Sequence, residues 1–220
     1  MTKVGILISG RGSNMAALLD AMARGEVPAR CALVVSNVPL AAGLQAAASR
    51  GVPTAVVDHR ASASREEHDA KLLEALSAAG VEILCLAGYM RLLSPAFVRA
   101  FENRLLNIHP ALLPAFPGLH AQKRALDRGV RFSGCTVHLV DEECDHGPIV
   151  LQAAVPVLPG DTEETISARI LRCEHKLYPA ALKLLCEGKV RVAGGRAELL
   201  LSPQEYLPLL RGLMDMGENG

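Results

Sequence analysis

The sequence of 220 residues predicts one doubly wound α/β domain. Three observations carry that expectation. Short apolar runs alternate with helical segments five times before residue 110. Most of those helical segments carry start or stop signals, either a Ser cap or a closing glycine. After residue 130 the alternation changes, and strand-like runs follow one another across breaker-rich turns. The expected architecture is therefore Rossmann-like: a mostly parallel sheet with an antiparallel C-terminal extension. Residues 1–220 form a single domain, with an N-terminal half to about residue 100, a second half over about 101–190, and a hairpin and tail beyond.

Lys3 to Ile8 is a short buried strand. It stops at Ser9-Gly10-Arg11-Gly12-Ser13-Asn14, and Met15 to Arg24 has helical spacing. Strand, glycine loop and helix start is an arrangement that points backbone N–H groups at an anion. It is not the dinucleotide fingerprint. Met15 stands where the third glycine belongs, and the next strand, Cys31 to Val35, runs into Ser36-Asn37 rather than an acid. A plain turn with Ser13 or Asn14 as helix cap is the competing reading of this loop.

Leu40 to Arg50 reads as a helix closed by Gly51, and Pro53 to Val57 as a strand. Ser64 opens a helix with Glu66 and Glu67 in its first turn that stops at Gly80. Val81 to Ala87 is the next strand, followed by Gly88-Tyr89-Met90-Arg91-Leu92-Leu93. Ser94-Pro95 starts a further helix, with Pro at its first position. The strand over 104–108 then delivers Asn107 and His109 to a loop stiffened by Pro110, Pro114 and Pro117. A helix to about Arg128 ends at Gly129. Gly134 to Val140 is a strand containing His138, Asp141 to Pro148 is an acidic turn, and Ile149 to Val157 is a strand expected to pair antiparallel with the one before. Asp161 and Glu164 have the spacing of a capping box for a long helix to about Glu187, with a kink expected at Pro179. Val190 to Leu201 reads as a hairpin on Gly194-Gly195, and the tail after Ser202 as a short helix that frays.

Composition narrows the partners. Half of the residues are hydrophobic, but only 3% are aromatic, too few for a base-stacking platform. Lys plus Arg and Asp plus Glu both number 23, so no basic excess marks a nucleic-acid binder. No run is long and apolar enough to span a membrane, and the start of the chain lacks the pattern of a signal peptide. The six cysteines are scattered without a C-x-x-C, which fits small core residues in a reducing cytoplasmic setting.

Asn107 and His109 are two residues apart on a strand, so both leave it on one face. They stand at a strand's C-terminal end, where an open α/β sheet places its ligands. The acidic turn offers a third group. Asp145, stiffened by His146-Gly147-Pro148, can reach His109 if the two strand segments are neighbours. A carboxylate beside an imidazole raises its pKa, which would prepare a proton donor near neutral pH. Asn107 would offer an N–H to an oxyanion, which is acyl-transfer chemistry. No G-x-S-x-G elbow and no H-E-x-x-H cluster is present, so neither a serine nucleophile nor a metal is expected. His59, His68 and His146 are expected to be exposed.

Asn107-Ile-His-Pro-Ala-Leu-Leu-Pro114 followed by Phe116-Pro-Gly118 resembles the signature of the folate-dependent formyltransferases. Ile8 to Asn14, Ala87 to Arg91, Val137-His138, Asp145-x-Gly-Pro148, Leu151-Gln152 and Glu174-His175-x-x-Tyr178-Pro179 resemble, in matching order over about residues 3–190, the branch of that family acting on glycinamide ribonucleotide. The resemblance implies transfer of a formyl group from 10-formyltetrahydrofolate, as co-substrate, to the amine of that ribonucleotide in purine biosynthesis. By the same resemblance Gly12, Ser13 and Asn14 hold the ribonucleotide phosphate, and Glu174 its amino-acyl end. Arg65 and the run Met90, Arg91, Leu92, Leu93 match folate-holding positions, with Arg65 and Arg91 suited to a carboxylate and Leu86, Met90 and Leu93 to an apolar slot. The turn from Val140 and Asp141 to Asp145 would read the polar edge of the pterin. Asn107, His109 and Asp145 carry the chemistry, and His138 either takes part or braces them.

Three positions depart from the family pattern: Ala111 where Ser is usual, His146 where Gly is common, and Arg11 where a small or amide residue is common. His146 would disturb the turn if its backbone needed a positive φ. Two other readings remain within the same fold. A methionyl-tRNA formyltransferase is expected to carry an added C-terminal domain, and a formyltetrahydrofolate hydrolase an added N-terminal one. A third reading, a non-catalytic nucleotide-binding protein, accounts for the glycine loop but not for Asn107, His109 and Asp145 together. Monomer and homodimer are both open.

Overall fold

The computed structural model describes residues 1–214. Among them, seven strands form one sheet in the order β3-β2-β1-β4-β5-β6-β7. They are β1 Thr2–Ile8, β2 Ala29–Ser36, β3 Thr54–Val56, β4 Ile83–Leu86, β5 Leu105–His109, β6 Phe132–Leu139 and β7 Ile149–Pro156. Pairings among β1 to β5 are parallel, while β5–β6 and β6–β7 are antiparallel. A separate two-stranded hairpin, β8 Val190–Ala193 and β9 Arg196–Leu199, turns on Gly194 and Gly195. The expected architecture is the one observed.

The helices are α1 Ser13–Ala23, α2 Ala42–Ala48, α3 Arg65–Ala78, α4 Pro95–Ala100, α5 Ala121–Arg128, α6 Glu163–Cys186 and α7 Pro203–Met214, with a 3-10 turn at His59–Ala61. Strand alternation sorts the core onto the two faces of the sheet. Val4, Ile6, Ile8, Cys85, Leu106 and Ile108 pack with Met15 and Leu18 of α1 and Ile170, Leu177 and Leu182 of α6. Leu7, Leu84, Leu86 and Leu105 pack on the other side with Leu72 and Leu76 of α3 and Phe97 of α4. The period of two therefore puts Asn107 and His109 on the face of Leu105.

The local signals mostly hold. Ser64 accepts from Glu67 N–H as the α3 cap, and Ser94 accepts from Phe97 N–H with Pro95 in the first turn of α4. One expectation needs correction, and one competing reading fails. The cap of α6 is Thr162, which exchanges hydrogen bonds with Thr165, so the capping box lies one residue along from Asp161 and Glu164. Asp161 is drawn away by Arg169, whose guanidinium lies 2.7 Å from it. The α1 cap is Gly12, at φ 73°, and no side chain caps the helix, so Ser13 and Asn14 are its first residues rather than its cap. The assigned helix α6 runs without a break through Pro179. The expected helix after Ser202 is α7, and the expected fraying falls at 215–220, outside the described residues.

Candidate active site

The strand order reverses at β1, whose neighbours are β2 and β4, and this opens a crevice beyond the C-terminal ends of β1 and β4. The predicted site segments all leave the sheet there or next to it. Gly12–Asn14 follows β1, Met90–Leu93 follows β4, Asn107 and His109 end β5, and Asp145 sits in the β6–β7 turn.

Asp145 lies beside His109, with Oδ2 3.2 Å from the ring Nδ1. Gly118 N–H donates to the same oxygen at 2.8 Å, and Asn107 Nδ2 donates to Oδ1 at 3.3 Å. The three residues named from sequence are thus brought together. Antiparallel pairing of β5 with β6 adds a fourth. His138 stands opposite Asn107 in the register, with Nε2 3.2 Å from Asn107 Nδ2 and 3.7 Å from Asp145 Oδ1.

The backbone of the turn is built for this. Asp145 adopts φ 52°, a left-handed conformation that a non-glycine residue occupies at a cost. Beside it, a Cβ on Gly147 would run into the carbonyl of Leu139, so that position requires glycine. The left-handed residue is Asp145 and not His146, so His146 does not strain the turn. Instead its Nδ1 lies 2.8 Å from Asp141 Oδ2 on the outer surface.

The electrostatics correct the expectation for His109. Burial pushes its pKa below the ordinary value, against the opposing pull of the Asp145 carboxylate and the Phe116 carbonyl. Both ring nitrogens face acceptors, Nδ1 toward Asp145 and Nε2 toward Phe116 O at 2.9 Å. Only the doubly protonated ring satisfies both. The carboxylate therefore opposes the effect of burial without reversing it. Burial alone would raise the pKa of Asp145, but contacts from His138, Gly118 N–H and His109 hold it at about 2. The site thus keeps a firmly ionised carboxylate against an imidazole that loses its proton easily.

The remaining predicted residues fall into two groups. Glu174 on α6 is buried, its pKa raised by burial, and it accepts from Asn14 Nδ2 at 2.7 Å. That contact ties the middle of α6 to the first turn of α1. Without a side-chain cap, the first N–H groups of α1 are open to an anion. Beside Ser13 an open groove of about 370 Å³ runs along α1 past Ala16, Asp20 and His175.

The second group lies on the β4 side. Arg91 Nε is buried and finds no hydrogen-bond partner among the described residues, which suits a carboxylate or similar acceptor. Met90 and Leu92 are large apolar side chains left 69% and 63% exposed, while Leu86, at the end of β4, is buried. Arg65 is the first residue of α3, and its exposed guanidinium lies 3.3 Å from Glu66. Val140 and Asp141 are partly buried where β6 leaves the sheet, and Val140 N–H donates to Leu105 O at 2.8 Å. No group of three or more His, Cys, Asp or Glu side chains among the described residues is arranged to hold a metal.

Sequence reasoning missed two supports. Tyr178, wholly buried on α6, donates from its hydroxyl toward Leu86 O and Leu106 O, each at 3.0 Å, and so joins the last residue of β4 to β5 just before Asn107. His68, expected to be exposed, is wholly buried, with Nε2 2.8 Å from Tyr89 Oη. The Tyr–Pro pair in α6 and the apolar flanks of His68 were visible, but their partners lie on other elements.

A family model described as formyl transferase matches residues 2–182. The chain is 41% identical over 204 residues to the phosphoribosylglycinamide formyltransferase of Escherichia coli strain K12, covering 91% of this chain and 96% of that one. It is 53% identical over 192 residues to the trifunctional purine biosynthetic protein adenosine-3 of Drosophila pseudoobscura pseudoobscura, covering 86% of this chain but only 14% of that protein's length. Among solved structures, glycinamide ribonucleotide transformylase 1 from Symbiobacterium toebii superposes with a TM-score of 0.89 at 51% identity, covering 90% of this chain and 94% of that one.

Proposed function

The chain belongs to the formyl transferase family, and from that premise we propose that it transfers the formyl group of 10-formyltetrahydrofolate to the amine of glycinamide ribonucleotide in purine biosynthesis. The observation that carries this reading is the meeting of Asn107, His109 and Asp145 on the C-terminal side of a sheet whose first strand also ends in an uncapped helix start. The N–H groups at Gly12, Ser13 and Asn14 take the phosphate, and Glu174 takes the amino-acyl end. Arg65 and Arg91 face the glutamate carboxylates of the folate, and Met90, Leu92 and Leu93 cover its ring. Val140, Asp141 and Asp145 present polar groups to the pterin.

The amine attacks the formyl carbon, and a C–N bond forms as the carbonyl oxygen takes up charge. Asn107 and His109 stabilise that oxyanion with N–H groups. To reach it, His109 Nε2 must exchange its contact with Phe116 O for one with the formyl oxygen. Attack leaves a proton too many on the amine nitrogen. Asp145, held ionised, stabilises that charge and steers the proton to N10 of the folate; the oxyanion then re-forms the carbonyl as the C–N10 bond breaks, and N10 leaves with that bonding pair and the proton. No step requires a protein nucleophile or a metal.

The test follows folate absorbance with glycinamide ribonucleotide, with methionyl-tRNA and with water as acceptor. Turnover is expected with the ribonucleotide alone, and turnover with tRNA or water but not the ribonucleotide overturns the assignment. His109→Ala is expected to lose on the order of 2–4 kcal/mol of transition-state stabilisation, read in kcat, with ribonucleotide binding retained. Lost binding at unchanged kcat would contradict the role given to it.

A further inference from the structure

The two loops assigned to the two substrates meet at one hydroxyl. Ser9 follows β1 and opens the Gly10–Asn14 loop. Its N–H donates to Gly88 O at 3.1 Å. Its Oγ accepts from Met90 N–H at 2.9 Å and donates to Asn37 Oδ1 at 2.6 Å. The other side of the glycine loop is held as well, by Gly43 N–H donating to Gly10 O at 3.0 Å.

A hydroxyl has one hydrogen and a small set of lone-pair directions. Here the hydrogen is committed to Asn37 and a lone pair to Met90, so the bond angles at Oγ fix where the two segments stand. Asn37 is itself immobilised. It is 3% exposed at the end of β2, and His59 Nδ1 lies 2.9 Å from its carbonyl and 3.3 Å from its Nδ2. The segment on the far side is stiff too. Tyr89 is held by His68, and Ser94 N–H donates to Asp69 Oδ2 at 2.6 Å. His68 and Asp69 are both buried on α3. These contacts anchor residues 88–94 at both ends, and the Ser9 hydroxyl is a direct link between that segment and the glycine loop.

We infer that Ser9, oriented by Asn37, is a positioning residue that couples the two substrate sites. An occupied phosphate loop favours the arrangement of Met90–Leu93 that takes the folate, and by reciprocity a bound folate tightens the phosphate loop. The inference rests on the proposed function for the assignment of the two segments, but not on the catalytic roles of Asn107, His109 and Asp145.

The experiment is calorimetric titration of glycinamide ribonucleotide, alone and with saturating tetrahydrofolate, which lacks the formyl group and so prevents turnover. The wild-type chain is expected to bind the ribonucleotide at least about fivefold more tightly in the presence of the folate, the low end of usual coupling between sites. Ser9→Ala is expected to bring that ratio to about one while the affinity for the ribonucleotide alone changes little. Ser9→Thr, which keeps the hydroxyl, restores the ratio. Ser9→Cys, similar in shape but a weak hydrogen bonder, replaces the alanine variant if that chain melts below the assay temperature.

A wild-type ratio of one overturns the inference. So does a Ser9→Ala chain that keeps the wild-type ratio, or one that loses affinity for both ligands equally with the ratio intact, as a purely structural role would give. A wild-type chain that binds neither ligand overturns the proposed function itself, and the inference with it.

Discussion

At the scale of single residues, the site sets a buried imidazole against a carboxylate, and the outcome decides which protonation state meets the substrate. Burial lowers the pKa of His109, and Asp145 opposes that fall. Removing the carboxylate charge takes away the opposition. Asp145→Asn is therefore expected to shift the His109 titration to still lower pH, followed through the ring proton resonances. In the unaltered protein that titration is expected below the ordinary value of about 6.5. A His109 that titrates above it, or that rises in the variant, would show that the charge pair and not burial dominates. The sequence carried half of this arrangement. The spacing of Asn107 and His109 dictates a shared face, because strand side chains alternate. The 3.2 Å approach of Asp145 could not be read from spacing, since it depends on which strand β6 pairs with and on a left-handed backbone at Asp145 itself. The same pairing puts His138 opposite Asn107, a partnership between residues 31 apart in the chain. His68 was misjudged for a related reason. Polar character suggests exposure, but the hydroxyl of Tyr89 satisfies one ring nitrogen inside the core.

At the scale of elements, most starts and stops are local and were legible. Ser64, Ser94 and the Gly194-Gly195 turn act through hydrogen bonds or conformations spanning only a few residues. The α6 start was misplaced by one residue because the Asp161 carboxylate is taken by Arg169, Leu158 N–H and the Thr165 hydroxyl, which leaves the cap to Thr162. What holds the elements at the right separation is less local. The hydroxyl of Tyr178 reaches the carbonyl of Leu86, the last residue of β4, and that of Leu106 in β5, the residue before Asn107. Tyr178→Phe keeps the ring and its packing but deprives these buried carbonyls of that donor. The expected cost is ~1–3 kcal/mol of stability, measured by urea denaturation, because an unsatisfied buried polar group forfeits its solvation. The KM for the folate is expected to rise in the same variant. A stability change within about 0.5 kcal/mol, the usual range for inconsequential surface changes, would mean the hydroxyl is not what joins the two strands.

At the scale of the whole molecule, three histidines share one property. His68 on α3, His109 on β5 and His175 on α6 all have pKa values lowered by burial. In the unfolded chain each regains a value near 6.5. As the pH falls through that value the unfolded chain takes up protons that the folded one resists, so the unfolded state is favoured. The stability these groups confer is complete above the unfolded pKa and is lost as the pH drops through it toward their lowered folded values. Two groups act in the opposite sense. Glu174, raised by burial, holds a proton in the folded state that the unfolded chain gives up. His146, raised by Asp141, is fully exposed and contributes weakly. Asp145 adds to acid sensitivity only further down, because its folded value of about 2 lies below that of an unfolded aspartate. Between pH 7.5 and 5.5 the three buried imidazoles act to lower the thermal midpoint and Glu174 acts against them, so the imidazole contribution is read by comparing variants. His68→Gln removes one of the three, and a fall is expected to shrink, or a rise to grow, relative to the unaltered chain. A fall, or a rise, of the same size in His68→Gln as in the unaltered chain would mean that His68 accepts its proton inside the fold as readily as in the unfolded chain.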